Sequence, residues 1–180
     1  MILQQYKIVF AGSMGAGKTE AIKSLSEIPV LATEAFNTDQ AAHEKQQTTV
    51  GIDYGEITLE DGVKIGLYGT PGQTRFDFIW TVICEGAIGV ILLIDHSVEA
   101  PLEELEAYLE SFKSQSNNIA IGITHIDQNK EKPLSIYRDW LKQNQYSYPL
   151  FFIDARKTDH ILLIVESLIA SLEVNYNLTS

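Results

Sequence analysis

The chain has 180 residues, 45% of them hydrophobic, which is enough for one buried core and too little for two ordinary domains. A formal net charge of -11 argues against a nucleic-acid partner, which needs a basic face to neutralise phosphates. It argues equally against passive adhesion to an anionic membrane.

The single cysteine, Cys84, permits neither an internal disulfide nor a thiolate zinc cage, and beside Ile83 it reads as a packed core thiol. Residues Met1–Tyr6 lack a basic stretch leading into a long apolar run, Ile2 stands where myristoylation needs Gly, and Asn177–Ser180 has no prenylatable Cys. The most apolar run, Ala87–Ile94, is too short for a bilayer. These features together lead to the expectation of a cytoplasmic protein with no direct membrane anchor.

In chain order, Lys7–Ala11 reads as a short buried strand, followed by a Gly-rich turn and a helix to about Glu27. Val50–Leu59 and Val63–Gly69, joined by Glu60-Asp61-Gly62, form the pattern of a hairpin with an Asp-Gly turn. Ala87–Asp95 is almost continuously apolar, as a strand buried on both faces should be. Pro101 opens a helix with Leu102, Leu105, Leu109 and Phe112 on one face.

Ile119–Thr124 is a second central strand, Leu134–Lys142 a helix and Pro149–Asp154 a further strand. A last helix carries Ile161, Ile164, Val165, Leu168 and Leu172 on one face. This order predicts a single α/β domain over residues 1–180. It is a three-layer sandwich with a six-stranded, mostly parallel sheet, one antiparallel strand and helices on both faces. Ligands of such sheets bind outside the carboxyl ends of the strands.

At that edge, Gly12-Ser13-Met14-Gly15-Ala16-Gly17-Lys18-Thr19 fits G-x-x-x-x-G-K-[ST], directly after a strand and opening a helix. Glycines let successive N–H groups converge on phosphate oxygens, and the helix N-terminus adds partial positive charge. Lys18 would reach the β- and γ-phosphates and the Thr19 hydroxyl would bind Mg²⁺; Glu20 follows in the first turn. The fold expected is therefore that of a P-loop NTPase.

Thr48-Thr49-Val50-Gly51-Ile52-Asp53-Tyr54 and then Gly69-Thr70-Pro71-Gly72-Gln73 resemble the switch I and switch II segments of Ras-like small GTPases. The resemblance implies GTP/GDP as ligand. Thr49 would close over Mg²⁺ and the γ-phosphate, with Thr48 as the alternative. It also implies a Gly72 N–H on the γ-phosphate and Gln73 orienting the attacking water.

Three departures stand out. Gly69 occupies the place of the usual Mg²⁺-supporting Asp. Thr124-His125-Ile126-Asp127 stands for Asn-Lys-x-Asp, so the guanine-reading Asp is kept while His125 replaces the Lys packed on the base. Asp154-Ala155-Arg156 stands for Ser-Ala-Lys, leaving the Ala155 N–H for guanine O6. The combination resembles the bacterial MglA-like and roadblock-operon GTPases, which implies a roadblock/LC7-domain regulator or effector.

Met14, where Ras-like proteins usually have Gly, should crowd Gln73. Arg75 is the sole arginine in cis with a place near the transferring phosphoryl group. These features predict slow intrinsic hydrolysis by a partner-read switch. The alternatives are an ATPase or kinase-like phosphotransferase, or a nucleotide-locked module without turnover. His43 and His160 are too scattered for a metal set, His96 reads as a cap or hydrogen-bond partner of the next helix, and Asp53 and Asp95 read as solvent-facing or capping groups, with support of the site's direct ligands as the alternative. Trp80 and Trp140 read as packing residues, and Glu103, Glu104, Glu106 and Glu110 as a solvated helix face.

Overall fold

A computed structural model describes residues 5–36, 49–73 and 76–179 of the chain. Strands β1 (Gln5–Ala11), β2 (Leu31–Phe36), β3 (Thr49–Thr58), β4 (Lys64–Gly69), β5 (Gly89–Asp95), β6 (Ile119–Thr124) and β7 (Leu150–Phe152) form one sheet in the order β2-β3-β4-β1-β5-β6-β7. Helices are α1 (Lys18–Leu25), α2 (Asp77–Cys84), α3 (Pro101–Phe112), α4 (Ser135–Gln143) and α5 (Thr158–Thr179).

The sheet has seven strands rather than the six expected. The added strand is β2, which lies against β3 in register from Leu31↔Tyr54 to Phe36↔Thr49. Its sequence, Leu-Ala-Thr-Glu-Ala-Phe, has little of the β-branched and aromatic bias that marks a strand. Backbone pairing with the edge of β3 decides its conformation instead. β3 is antiparallel to both neighbours, so β2 runs with the rest and a single strand opposes the others, as expected.

The hairpin closes as its turn residues require. Leu59 N–H donates to Val63 O (2.9 Å), Asp61 Oδ1 accepts from Val63 N–H (3.0 Å), and Gly62 has φ +84°.

Alternation along β1 and β5 builds the layers. Ile8, Phe10, Ile91 and Leu93 face α1 and α5, where they meet Ile22, Ile161, Ile164, Val165 and Leu168. Val9, Ala11, Val90, Leu92 and Ile94 face the other way, against Trp80, Leu105, Leu109, Phe112 and Tyr137. Trp80 stacks on Phe112 with ring centroids 4.9 Å apart, so it packs α2 on α3. Cys84 is buried and its thiol is pushed up to about 11 by burial, which leaves it an inert packing group. Among the described residues no helix is long and apolar enough to cross a membrane. The loops after β1, β4, β5, β6 and β7, together with the start of the antiparallel β3, carry the site residues singled out from the sequence.

Candidate functional site

The phosphate loop leaves β1 at a position where no side chain fits: a Cβ on Gly12 would lie 2.3 Å from Leu93 O of β5. Gly15 and Gly17 have φ of +81° and +102°, turns that glycine adopts without strain. Lys18 then opens α1 almost enclosed, with 8% of its surface exposed. Its ammonium donates to Gly12 O and Ser13 O, each at 2.7 Å. Burial lowers its pKa to about 8, against the opposing pull of the Asp53 and Glu104 carboxylates. The loop thus holds a cation beside a helix N-terminus. Glu20 is exposed and pairs with Lys23 at 3.2 Å.

Glu104 corrects one expectation: it is not merely part of a solvated helix face. Its Oε2 accepts from Ser13 Oγ at 3.0 Å, which ties the first turn of α3 to the phosphate loop.

Asp53 corrects another. Thr19 Oγ1 donates to Asp53 Oδ2, so the carboxylate lies at the hydroxyl of the P-loop threonine rather than in solvent. Asp53 and Gly69 are direct cross-strand partners, and a Cβ on Gly69 would meet Asp53 Cβ at 3.2 Å. The missing side chain on β4 and the carboxylate on β3 therefore belong to one space. Thr70, the next residue, has a buried hydroxyl without a hydrogen-bond partner. A hard divalent cation takes oxygen donors and keeps several waters, and the Thr19 hydroxyl and Asp53 carboxylate fit that preference. No cluster of three or more His, Cys, Asp or Glu that could hold a metal ion occurs among the described residues.

The segment after β4 rests on the phosphate loop. A Cβ on Gly72 would come within 2.5 Å of Met14 N and 2.9 Å of Ser13 C, so this contact is open only to glycine. Gln73 Nε2–H donates to Met14 Sδ (3.4 Å), and Met14 is 68% exposed. The crowding of Gln73 expected from Met14 is thus a direct contact. Trp80 Nε1–H donates to Pro71 O (3.3 Å) and the Tyr108 hydroxyl to Gly72 O (3.4 Å). Thr48, Arg75 and His43 lie outside the described residues. Thr49 opens β3, but its side chain lies outside them too.

On the other side of the loop, Thr124, His125, Ile126, Asp127 and Gln128 meet Asp154, Ala155 and Arg156 around a cavity of about 350 Å³ that Gly17 and Glu20 also line. That volume suits a small-molecule site, typically about 300–1,000 Å³. Both departures from the usual base-reading motif are structural ties. Thr124 Oγ1 donates to Ala16 O (2.8 Å), and His125 Nε2 lies 2.8 Å from Gly15 O. A carbonyl only accepts, so Nε2 carries the proton and Nδ1 accepts from Gln128 Nε2–H (3.1 Å). His125 reaches this position with φ +54°, and its Nε2 is 3.8 Å from Asp95 Oδ2. Asp95 also caps its own turn, accepting from Ser97 N–H and Oγ.

Asp127 is exposed at the rim. Arg156 folds back on Asp154 through contacts of 2.7 and 2.8 Å, which hold the Asp154 carboxyl well below the usual range. His160 Nδ1 accepts from Asp154 N–H (3.0 Å). His96 departs from its expected role as well, since its ring meets Tyr137, Asn129 and Lys132 rather than α3.

This arrangement, a P-loop with a base-sized cavity beside it, agrees with what the chain resembles. A family described as "Conserved hypothetical ATP binding protein" matches residues 10–144. The chain belongs to that family. It is also 28% identical over 141 residues to Ras-related protein Rab-13 of Mesocricetus auratus, covering 77% of this chain and 62% of the relative. Ras-related protein Rab-13 of Rattus norvegicus is 30% identical over 115 residues, 62% of this chain and 51% of the relative. Ras-related protein Rab-8B of Homo sapiens is 29% identical over 116 residues, 63% and 50% respectively. The chain spans about half to three-fifths of the length of these relatives. The family membership and the Ras-related homologues agree on a nucleotide-binding P-loop protein.

Two outcomes follow from this geometry. A phosphate seated against Lys18 would raise its pKa above the value of about 8 in the free protein, so binding takes up a proton once the free lysine begins to lose its own. Affinity for a nucleoside diphosphate is therefore expected to hold below pH 8 and to weaken above it, by up to about tenfold per pH unit. Titration of Kd from pH 7 to 9.5 tests this, and a constant Kd would refute it. For Asp53→Ala, the Mg²⁺ concentration giving half-maximal nucleotide retention should rise about 10–100-fold, with Mg²⁺-free binding kept. Unchanged Mg²⁺ dependence would remove Asp53 from the site.

Proposed function

We propose that this chain is a guanine-nucleotide switch, a single P-loop domain over residues 1–180 that binds GTP and GDP with Mg²⁺ and hydrolyses GTP slowly. The observation that carries this reading is Asp127 at the rim of a cavity whose walls are tied to the phosphate loop by Thr124 and His125. An aspartate carboxylate there accepts from guanine N1–H and N2–H together, which adenine does not offer. Ala155 lies beside Gly17, where its N–H would meet guanine O6, and Arg156 steadies that loop through Asp154.

In this reading the N–H groups of residues 12–18 bind the phosphates, with Lys18 as the cation. Thr19 and Asp53, together with Thr49, would hold Mg²⁺, which when bound would supply neutralisation of phosphate charge. Gln73 orients the attacking water, and Gly72 offers its N–H to the γ-phosphate. No covalent intermediate on the protein is required, so catalysis is positioning and charge stabilisation. Gln73 spends its amide on Met14, which supports slow turnover until a partner repositions it. Arg75 is the cis group assigned to the charge on the transferring phosphoryl.

The motifs Thr70-Pro71-Gly72-Gln73 and Thr124-His125-Ile126-Asp127 support placement near the MglA-like and roadblock-operon proteins. A roadblock/LC7-domain regulator or effector and a cytoplasmic location follow from that placement. A second reading, ATP binding, is favoured by the description of the matching family. A nucleotide-locked module without turnover is the third.

Displacement of a labelled nucleotide by GDP and ADP separates guanine from adenine. Wild type should favour GDP by at least about a hundredfold, and Asp127→Asn should shift the preference toward xanthosine diphosphate. Equal displacement by ADP would replace the guanine reading with the ATP one. In single-turnover hydrolysis without a partner the rate should fall below about 1 s⁻¹, and Met14→Gly should raise it. A faster wild type would end the slow-switch proposal, and no hydrolysis over days would favour the locked module.

A further inference from the structure

His96 is fully buried at the end of β5 and outside the nucleotide cavity, yet its ring makes three polar contacts. Nε2 faces Asn129 O at 3.1 Å and Lys132 O at 3.2 Å. Both are acceptors, so Nε2 carries the proton, and Nδ1 must then accept the Tyr137 hydroxyl at 2.8 Å. Tyr137 lies on α4 and is itself fully buried.

The tie is returned from the other side. Lys132 Nζ donates to Val98 O (2.6 Å) and His96 O (3.3 Å), and Asn129 Oδ1 accepts from Lys132 N–H (3.3 Å). Two loops are thereby locked together: the one between β5 and α3, and the one between β6 and α4.

The consequence concerns Asp127. The loop after β6 is fixed at its start by Thr124 and His125 on the phosphate loop, and at residues 129 and 132 by His96. Asp127 is exposed on the short span between these anchors. With both ends held, the backbone position of Asp127 relative to the cavity is set by the length of the span.

We infer that His96 is the positioning residue for base recognition, fixing Asp127 through Asn129 and Lys132 without touching the nucleotide. This rests on the guanine reading above. A glutamine can present one donor and one acceptor as His96 does. A leucine can present neither, and leaves two carbonyls and a phenol without their partner.

The test compares affinities for GDP, IDP (which lacks the 2-amino group) and inorganic tripolyphosphate in the full chain. For His96→Leu the GDP-to-IDP preference should fall about tenfold, with tripolyphosphate affinity within about twofold of wild type. His96→Gln should restore most of the preference. Tyr137→Phe, a milder change, should lower it about threefold and decides the matter if His96→Leu does not fold. An unchanged GDP-to-IDP preference in the folded variants would overturn the inference. So would weakening of all three ligands by one factor, which marks a purely structural role. A wild type that does not distinguish GDP from IDP would overturn both the inference and the reading of Asp127. A loss confined to the variants supports both.

Discussion

Much of the site follows from placing one ammonium, that of Lys18, where water barely reaches. A buried cation needs oxygen atoms turned toward it, and here Gly12 O and Ser13 O supply them at 2.7 Å. To bring those carbonyls inward the chain must curl tightly as it leaves β1, and at Gly12 it presses so close to β5 that a methyl group would overlap Leu93 O. The same curl sets Gly15 O and Ala16 O outward toward β6, where His125 and Thr124 donate to them. The phosphate loop and the cavity beside it are therefore one hydrogen-bonded unit. Burial near the Asp53 and Glu104 carboxylates leaves Lys18 with a pKa of about 8, so the loop holds a cation that a phosphate would stabilise further.

How much of this was legible in the sequence depended on whether the relation was local. The phosphate loop is contiguous, so Gly12–Thr19 declared itself, as did the Asp-Gly turn and the apolar faces of α3 and α5. Asp53 was misread because its relation to Gly69 runs across two strands. The signal was nevertheless present: with Leu59 and Val63 closing the turn, counting six residues each way places Asp53 opposite Gly69. A glycine where an acidic group is expected faces an aspartate, and in the Mg²⁺-binding reading proposed above that aspartate would take over the role. Glu104 and His96 carry no such local mark. Their partners lie 91 and 33–41 residues away and depend on how α3 and the loop after β6 are laid over the strand ends. β2 escaped because its pairing comes from the exposed edge of β3 and not from its own side chains.

The two ends of the site are held with different firmness. On the side of the cavity, contacts of 2.8 Å from Thr124 and His125 reach the phosphate loop, and the buried His96 ring contacts the loop that carries Asp127. On the side of the segment after β4, Gly72 rests on Ser13 and Met14, and the polar contacts are weak. They measure 3.4 Å from Gln73 to a thioether, 3.4 Å from Tyr108 to Gly72 O and 3.3 Å from Trp80 to Pro71 O. Contacts of that length are weak, and a thioether is a poor acceptor. An anionic ligand arriving between Gly72 and the loop would thus exchange weak contacts for charge-assisted ones, while the cavity on the other side has little to gain by moving. In the switch reading proposed above, the differential free energy that a conformational change requires would be concentrated on the Gly72 side, where a diphosphate and a triphosphate would differ.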